Sequence, residues 1–214
     1  MSPKCLILDY GMGNIKSIKA ACEYSDIETI VSNKKKDINS CNALILPGVG
    51  SFKKAMENLT NLDLLEVIKD QALNNKPILG ICLGMQLLFE ESEEFGKTIG
   101  LGLVKGRVKK FDIKKINNNK IPHVGWSSIF KNKQKWEDTI LAKIEENQKM
   151  YFVHSFYVEA QDESVISSKT NYGGFNFCSS VTKANLFATQ FHPEKSGREG
   201  LKIFNEFSKV IKQN

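Results

Sequence analysis

The chain has 214 residues, 41% hydrophobic and 25% charged, with thirty Lys+Arg against twenty-four Asp+Glu for a net charge of +6. That size and balance exclude a disordered tail, a collagen-like chain and a disulfide mini-protein; with no repeat and no Pro/Gly/Ser linker, residues 1–214 read as a single soluble domain. The five cysteines are odd in number and form no C-x-x-C pair, so a disulfide framework or a zinc knuckle is not expected and a reduced cytoplasmic setting is.

In chain order, Cys5-Leu6-Ile7-Leu8 predicts a buried strand by its continuous apolarity. Closed by Asp9, the run is too short for the apolar core of a secretory signal. Gly13–Tyr24 carries Ile15, Ile18, Ala21 and Cys22 at helical spacing. Thr29–Val31 and Ala43–Leu46 predict short strands, the second ended by Pro47-Gly48. Helical patterns run through Phe52–Asn58 and Leu64–Leu73. Pro77-Ile78-Leu79 opens the next strand and Leu83–Phe89 the next helix. The longest apolar stretch, Pro77–Met85, falls far short of the ~20 residues a membrane helix needs.

The second half reads differently. Leu103–Phe111, Tyr151–Val158, Ser164–Ser168, Phe175–Lys183 and Leu186–Gln190 predict strands, several in hairpin order. Lys114–Lys120 reads as a loop or hairpin tip, and Phe130–Asp138 has no readable pattern. A helix closes the chain over Gly197–Lys212, with Leu201, Phe204, Phe207 and Ile211 on one face. The alternation of strand and helix predicts an α/β fold. Its open mixed sheet is mostly parallel, with helices on both faces and antiparallel strands in the C-terminal half. Ligands of such sheets sit at the carboxyl ends of the parallel strands. The lysine clusters at Lys34–Lys36, Lys109-Lys110 and Lys114-Lys115 lack interleaved aromatics, so they read as solvated loops rather than a nucleic-acid surface.

Gly80-Ile81-Cys82-Leu83-Gly84 carries the chemistry. It lies between a strand and a helix, the setting of a nucleophile elbow with cysteine in place of serine. The flanking residues must be small because strand and helix approach closely there. Cys82 would sit at a helix N-terminus, which favours thiolate, and the Leu83 N–H would be free for an oxyanion. The other four cysteines have no comparable turn and read as core. A nucleophile needs a base and an orienting group. Gln190-Phe191-His192-Pro193-Glu194-Lys195 supplies both: His192 at a strand end, Pro193 ending the strand, Glu194 folding back to accept the imidazole N–H. The glycines of Leu46-Pro47-Gly48-Val49-Gly50 allow backbone approach to a ligand and a peptide flip at Val49, with Ser51 as N-cap of the next helix.

Together these segments resemble the class I, triad-type glutamine amidotransferases, and more closely the glutaminase subunits of imidazole glycerol phosphate synthase. The likeness runs nearly end to end through Asp9–Asn14 with Ser17, Leu46–Gly50 with Phe52, Gly80–Phe89, Pro122–Trp126, Tyr151–Ser155 and Gln190–Ser196. It implies glutamine hydrolysis by Cys82, His192 and Glu194, with the N–H groups of Leu83 and, after a flip, Val49 at the oxyanion. Gly50, Gln86, His154 and Ser155 would hold the substrate, the last two through their backbone. No metal and no organic cofactor is implied. Ammonia would pass to a (β/α)₈-barrel cyclase in a one-to-one heterodimer, with Asn14, Trp126, Tyr151 and Lys195 at the contact; neither a membrane nor a nucleic acid is implied as partner. His123 reads as structural. Ser127 and Phe156 depart from the family's usual asparagine and tyrosine. The segment Asn171–Cys178 looks like a branch that feeds ammonia to surface-sugar amination, which keeps that acceptor as an alternative. A cysteine peptidase and a non-enzymatic regulatory module are the remaining readings.

Overall fold

Continuous apolar runs become the central strands because both of their faces are covered. A computed structural model describes residues 3–117 and 119–213, so Asn118 of the Lys114–Lys120 stretch lies outside them. The N-terminal half runs β1 (Lys4–Leu8), α1 (Ile15–Tyr24), β2 (Glu28–Ser32), α2 (Lys35–Ser40), β3 (Ala43–Leu46), α3 (Phe52–Asn61), α4 (Leu65–Leu73), β4 (Ile78–Ile81) and α5 (Leu83–Leu87). The C-terminal half continues with β5 (Phe89–Ser92), β6 (Thr98–Ile99), β7 (Val104–Lys110), β8 (His123–Ser128), β9 (Phe130–Lys131), β10 (Lys149–His154) and β11 (Phe156–Ala160). It ends with β12 (Ile166–Tyr172), β13 (Phe175–Lys183), β14 (Leu186–Thr189) and α6 (Gly197–Gln213).

The large sheet follows the order β2-β1-β3-β4-β14-β13-β11-β7-β5-β6, with β12 and β9 attached at β13. The pairings from β2 to β14 are all parallel; β14 to β7 are antiparallel. Alternate side chains feed two cores. Leu6, Leu8, Leu44 and Leu46 pack with α3 and α4 through Phe52, Met56, Leu59 and Ile68. Cys5, Ile7, Ala43 and Ile45 pack with α1 and α6 through Ile18, Cys22, Phe204 and Phe207. The predicted mixed α/β sheet with helices on both faces is the observed one.

Four local expectations change. Tyr151–Val158 is not one strand: β10 pairs with β8 in a separate two-stranded sheet, and β11 pairs with β7 and β13 in the large one. The chain switches sheets at Ser155, whose carbonyl accepts the Phe111 N–H at 3.1 Å. In sequence, the apolar runs Tyr151–Val153 and Phe156–Val158 are separated only by His154-Ser155, which does not mark a change of sheet. Helix α5 stops at Leu87 rather than Phe89, because Phe89 begins β5 against Val104. Helix α2 stands where the lysines Lys34–Lys36 predict a solvated loop; Ile38 is its one buried residue, so no apolar stripe marks it. The strand predicted at Ser164–Ser168 starts at Ile166, after a 3₁₀ turn over Glu163–Val165.

Phe130–Asp138 also gains a place. β9 pairs with β12, and Trp136 is fully buried, donating from Nε1 to the Ser167 carbonyl at 2.7 Å. The Asn171–Cys178 segment is the β12–β13 hairpin, turned by Gly173 and Gly174 at φ +59° and +86°. Positive φ at both central positions is the geometry that favours glycine in a two-residue hairpin. No helix of the described residues is long and apolar enough to cross a membrane.

Candidate active site

Parallel pairing fixes which loops meet. Leu46 and Ala188 both pair with Gly80, so β3, β4 and β14 end side by side. The segments that follow those ends are Pro47–Gly50, Cys82–Leu83 and Gln190–Glu194. Cys82 takes φ +54°, ψ −106°, a conformation that a non-glycine residue rarely holds and that costs on the order of 1–3 kcal/mol. Its N–H donates to the Thr189 carbonyl at 2.7 Å, which pins the elbow to β14. The glycines are small for the predicted reason. A Cβ at Gly84 would fall on the Leu46 carbonyl oxygen, and one at Gly80 would lie 2.9 Å from the Gly84 carbonyl oxygen.

His192 and Glu194 stand beside Cys82. Nδ1 of His192 lies 2.8 Å from Oε1 of Glu194, with both side chains almost wholly buried. Among the described residues, His192 Nε2 and Glu194 Oε2 are buried without a hydrogen-bond partner. Burial opposes the imidazolium, but Cys82 and Glu194 outweigh it and hold the His192 pKa above the ordinary histidine range. Burial pushes up the thiols of Cys5, Cys22, Cys41 and Cys178, those of Cys22 and Cys178 to about 12. All five cysteines are free and buried. A nucleophile, a base and a buried carboxylate therefore stand in series, with Nε2 of the base left free for proton transfer.

The triad opens on a cavity of about 350 Å³ lined by Val49, Gly50, Cys82, Leu83, Gln86, Glu94, Pro122, Val153, His154, Ser155 and Phe156. Every residue predicted for the oxyanion or the substrate is among them. Leu83 begins α5, where an amide has no preceding helical carbonyl to bond. The Tyr10 hydroxyl donates to the Pro47 carbonyl at 2.5 Å and braces the segment before Val49. Gln86 donates from Nε2 to the Phe156 carbonyl at 3.1 Å and to Gln190 Oε1 at 3.0 Å. Gln190 in turn points Nε2 at Cys82 Sγ, 3.6 Å away.

Sequence reading missed Gln190 and Glu94 as site residues. Gln190 had a signal, being in the His192 motif. Glu94 had none: it sits in a polar turn after β5 and reaches the cavity only because its Oε2 accepts the Phe52 N–H at 2.5 Å. A larger groove, about 840 Å³, lies on the far edge near Glu90, Glu91, Arg107 and Glu159. Arg107 and Glu159 pair with each other there at 3.0 Å, and the described residues that line it include no cysteine, serine or histidine.

The four residues predicted at the partner contact lie outside the cavity. Trp126 and Tyr151 face each other across β8 and β10, with ring centroids 5.9 Å apart, and Trp126 is 53% exposed. Lys195 is exposed in the 3₁₀ turn over Pro193–Lys195, and that turn packs against α1 and β10. Asn14 caps α1, accepting the Ser17 N–H at 3.3 Å.

The sequence model of the family described as "Glutamine amidotransferase class-I" matches residues 6–210. The chain belongs to the class-I glutamine amidotransferase family. It is 44% identical over 207 residues to the imidazole glycerol phosphate synthase subunit HisH of Aquifex aeolicus, covering 96% of both chains. It is 45% identical over 205 residues to subunit HisH 1 of Campylobacter jejuni, covering 95% of this chain and 98% of that one. Among solved structures, PurLQS from Thermotoga maritima superposes with a TM-score of 0.74 at 20% identity, covering 98% and 99% of the two chains. The glutaminase domain of Trypanosoma brucei CTPS superposes with a TM-score of 0.70 at 18% identity, covering 99% and 94%. At those identities the superpositions speak for the amidotransferase fold alone. Relatives at 44–45% identity over nearly the full length bear histidine-pathway names, which does not favour the sugar-amination reading of Asn171–Cys178.

Proposed function

We propose that the chain is the glutaminase subunit of an imidazole glycerol phosphate synthase, working in histidine biosynthesis as one amidotransferase domain over residues 1–214. The observation that carries the chemistry is the buried His192–Glu194 pair beside an elbow cysteine that opens on a cavity of about 350 Å³. The relatives' names carry the pathway.

In this reading the Cys82 thiolate attacks the side-chain amide carbon of glutamine. The amide N–H groups of Leu83 and, after a peptide flip, Val49 receive the oxyanion. The imidazolium of His192 gives its proton to the leaving nitrogen as the C–N bond breaks. Ammonia departs and a γ-glutamyl thioester remains on Sγ. Water attacks that carbonyl, His192 takes its proton, and glutamate leaves as the C–S bond breaks. Glu194 keeps the imidazole in its Nδ1–H tautomer and stabilises the cation.

Gly50, Gln86, His154 and Ser155 shape the substrate wall. Among the described residues Glu94 is the one carboxylate lining the cavity, so it is the residue suited to the substrate's α-ammonium. Glu94→Gln is expected to raise KM for glutamine about tenfold or more, from a lost charge-assisted hydrogen bond of ~1.5–3 kcal/mol, with kcat changed far less. Steady-state kinetics with glutamine check it; an unchanged KM would move the ammonium contact elsewhere.

Glu194→Gln removes the anion that supports the imidazolium. The His192 pKa then falls toward its ordinary value, and the alkaline limb of the kcat/KM profile moves to lower pH. The rate loss, about 10⁴-fold, is smaller than for loss of the nucleophile, as expected for the orienting member of a triad.

Ammonia would pass to a (β/α)₈-barrel cyclase bound one-to-one at the face that carries Asn14, Trp126, Tyr151 and Lys195. A cytoplasmic setting fits five free cysteines. The deciding measurement is glutamate release from glutamine, with and without a cyclase subunit and its nucleotide ligand. Stimulation by the liganded cyclase supports both the chemistry and the partner. Release without stimulation keeps the glutaminase and rejects that partner.

A further inference from the structure

Two buried histidines outside the triad form a chain whose proton order is fixed. Nδ1 of His154 lies 2.8 Å from the Phe156 carbonyl oxygen, which can only accept, so Nδ1 carries the proton. In a neutral ring Nε2 is then an acceptor. It lies 3.0 Å from His123 Nδ1, which must therefore donate. His123 Nε2 is left to accept, and the Ser127 hydroxyl stands 2.9 Å from it. Burial keeps both rings neutral, lowering the pKa of His123 to about 4 and of His154 to about 3.

The inner end of this chain is part of the cavity wall. The Phe156 carbonyl that takes the His154 proton also takes one Nε2 hydrogen of Gln86, and the other goes to Gln190. With both hydrogens used, any hydrogen bond from Gln86 to a ligand must be made by Oε1, as an acceptor. His123 itself never reaches the cavity. It stacks between Phe152 and Tyr172, with centroid separations of 5.0 Å and 4.0 Å.

We propose that His123 is a positioning residue for glutamine hydrolysis. By fixing His154 it holds the Phe156 carbonyl, and through that carbonyl it presents Gln86 Oε1 to the substrate. The role in hydrolysis rests on the glutaminase reading above; the hold on Gln86 does not.

The replacements differ in which ring nitrogen they mimic. His123→Phe keeps the stacking and removes both hydrogen bonds. His123→Asn restores a donor near the Nδ1 position, whereas His123→Gln reaches only the Nε2 position. KM for glutamine is expected to rise about tenfold in His123→Phe and His123→Gln, with kcat within about twofold, and to stay within about twofold in His123→Asn. Ser127→Ala, a milder change at a half-exposed site, should raise KM about threefold. Alkylation of Cys82 by iodoacetamide should be the same in all, because that reagent does not use the wall.

The side-chain amide ¹⁵N–¹H resonances of Gln86 report the wall without turnover. They should shift in His123→Phe and His123→Gln and hold in His123→Asn. Equal behaviour of the Asn and Gln variants, or slower alkylation with unchanged KM, overturns the proposal. Were the wild type to release no glutamate, the glutaminase reading would fall. The Gln86 resonances would still decide whether His123 sets the wall.

Discussion

Cys82→Ala is expected to lower glutamine-dependent turnover by roughly 10⁶-fold, the scale seen when a triad loses its nucleophile. The size of the loss follows from the site. The remaining thiols are buried in the two cores or between strands, and none lines the cavity. His192 would keep Glu194 but have no sulfur to serve. On the proposed function, the same variant combined with a cyclase subunit and supplied with ammonium at raised pH should form product at the wild-type rate, since ammonia then bypasses the elbow. Paired assays with glutamine and with ammonium check both halves. Loss of the ammonium-driven rate would show that glutaminase and synthase sites are not separate.

Gly84→Ala is expected to destabilise the fold by about 3–5 kcal/mol, enough to lower Tm by roughly 10 °C in a chain of this size. The added Cβ would land on the Leu46 carbonyl oxygen, which is backbone and cannot swing aside. Relief requires α5 to move off β3. That would turn the Leu83 amide out of the oxyanion position and take the glutaminase rate with it. Gly96→Ala is the control. Its φ is +94°, but nothing lies within 4 Å of a Cβ there, so only a backbone cost of about 1 kcal/mol applies. A calorimetric scan of the two variants separates clash from conformation. Equal Tm values would mean that the approach of α5 to β3 is looser than described.

Much of the site was legible in the sequence because its parts are local. An elbow needs Gly-x-Cys-x-Gly within five residues, and the base and its carboxylate are two residues apart. Such spacings survive in one dimension. Glu94 was not legible. Its carboxylate reaches the cavity by bonding the Phe52 N–H, forty-two positions away. The break at Ser155 is hidden too, because the apolar runs on its two sides follow one another like a single strand. Trp136 lies in the lysine-rich Phe130–Asp138 stretch, which has no readable pattern, yet it is a buried anchor whose indole reaches β12.

The sequence by itself determined the alternation of buried strand and helix, the elbow at Cys82 and the His192–Glu194 pair. Each depends on residues within about one turn or one strand of one another, where covalent geometry and local hydrogen bonding dominate. Only the tertiary structure decided which strand ends meet, which carboxylate enters the cavity and which protons the Ser127–His123–His154 chain carries. Those depend on sheet register and on the switch between sheets, where pairings between distant residues, rather than local preference, set the position of every polar group.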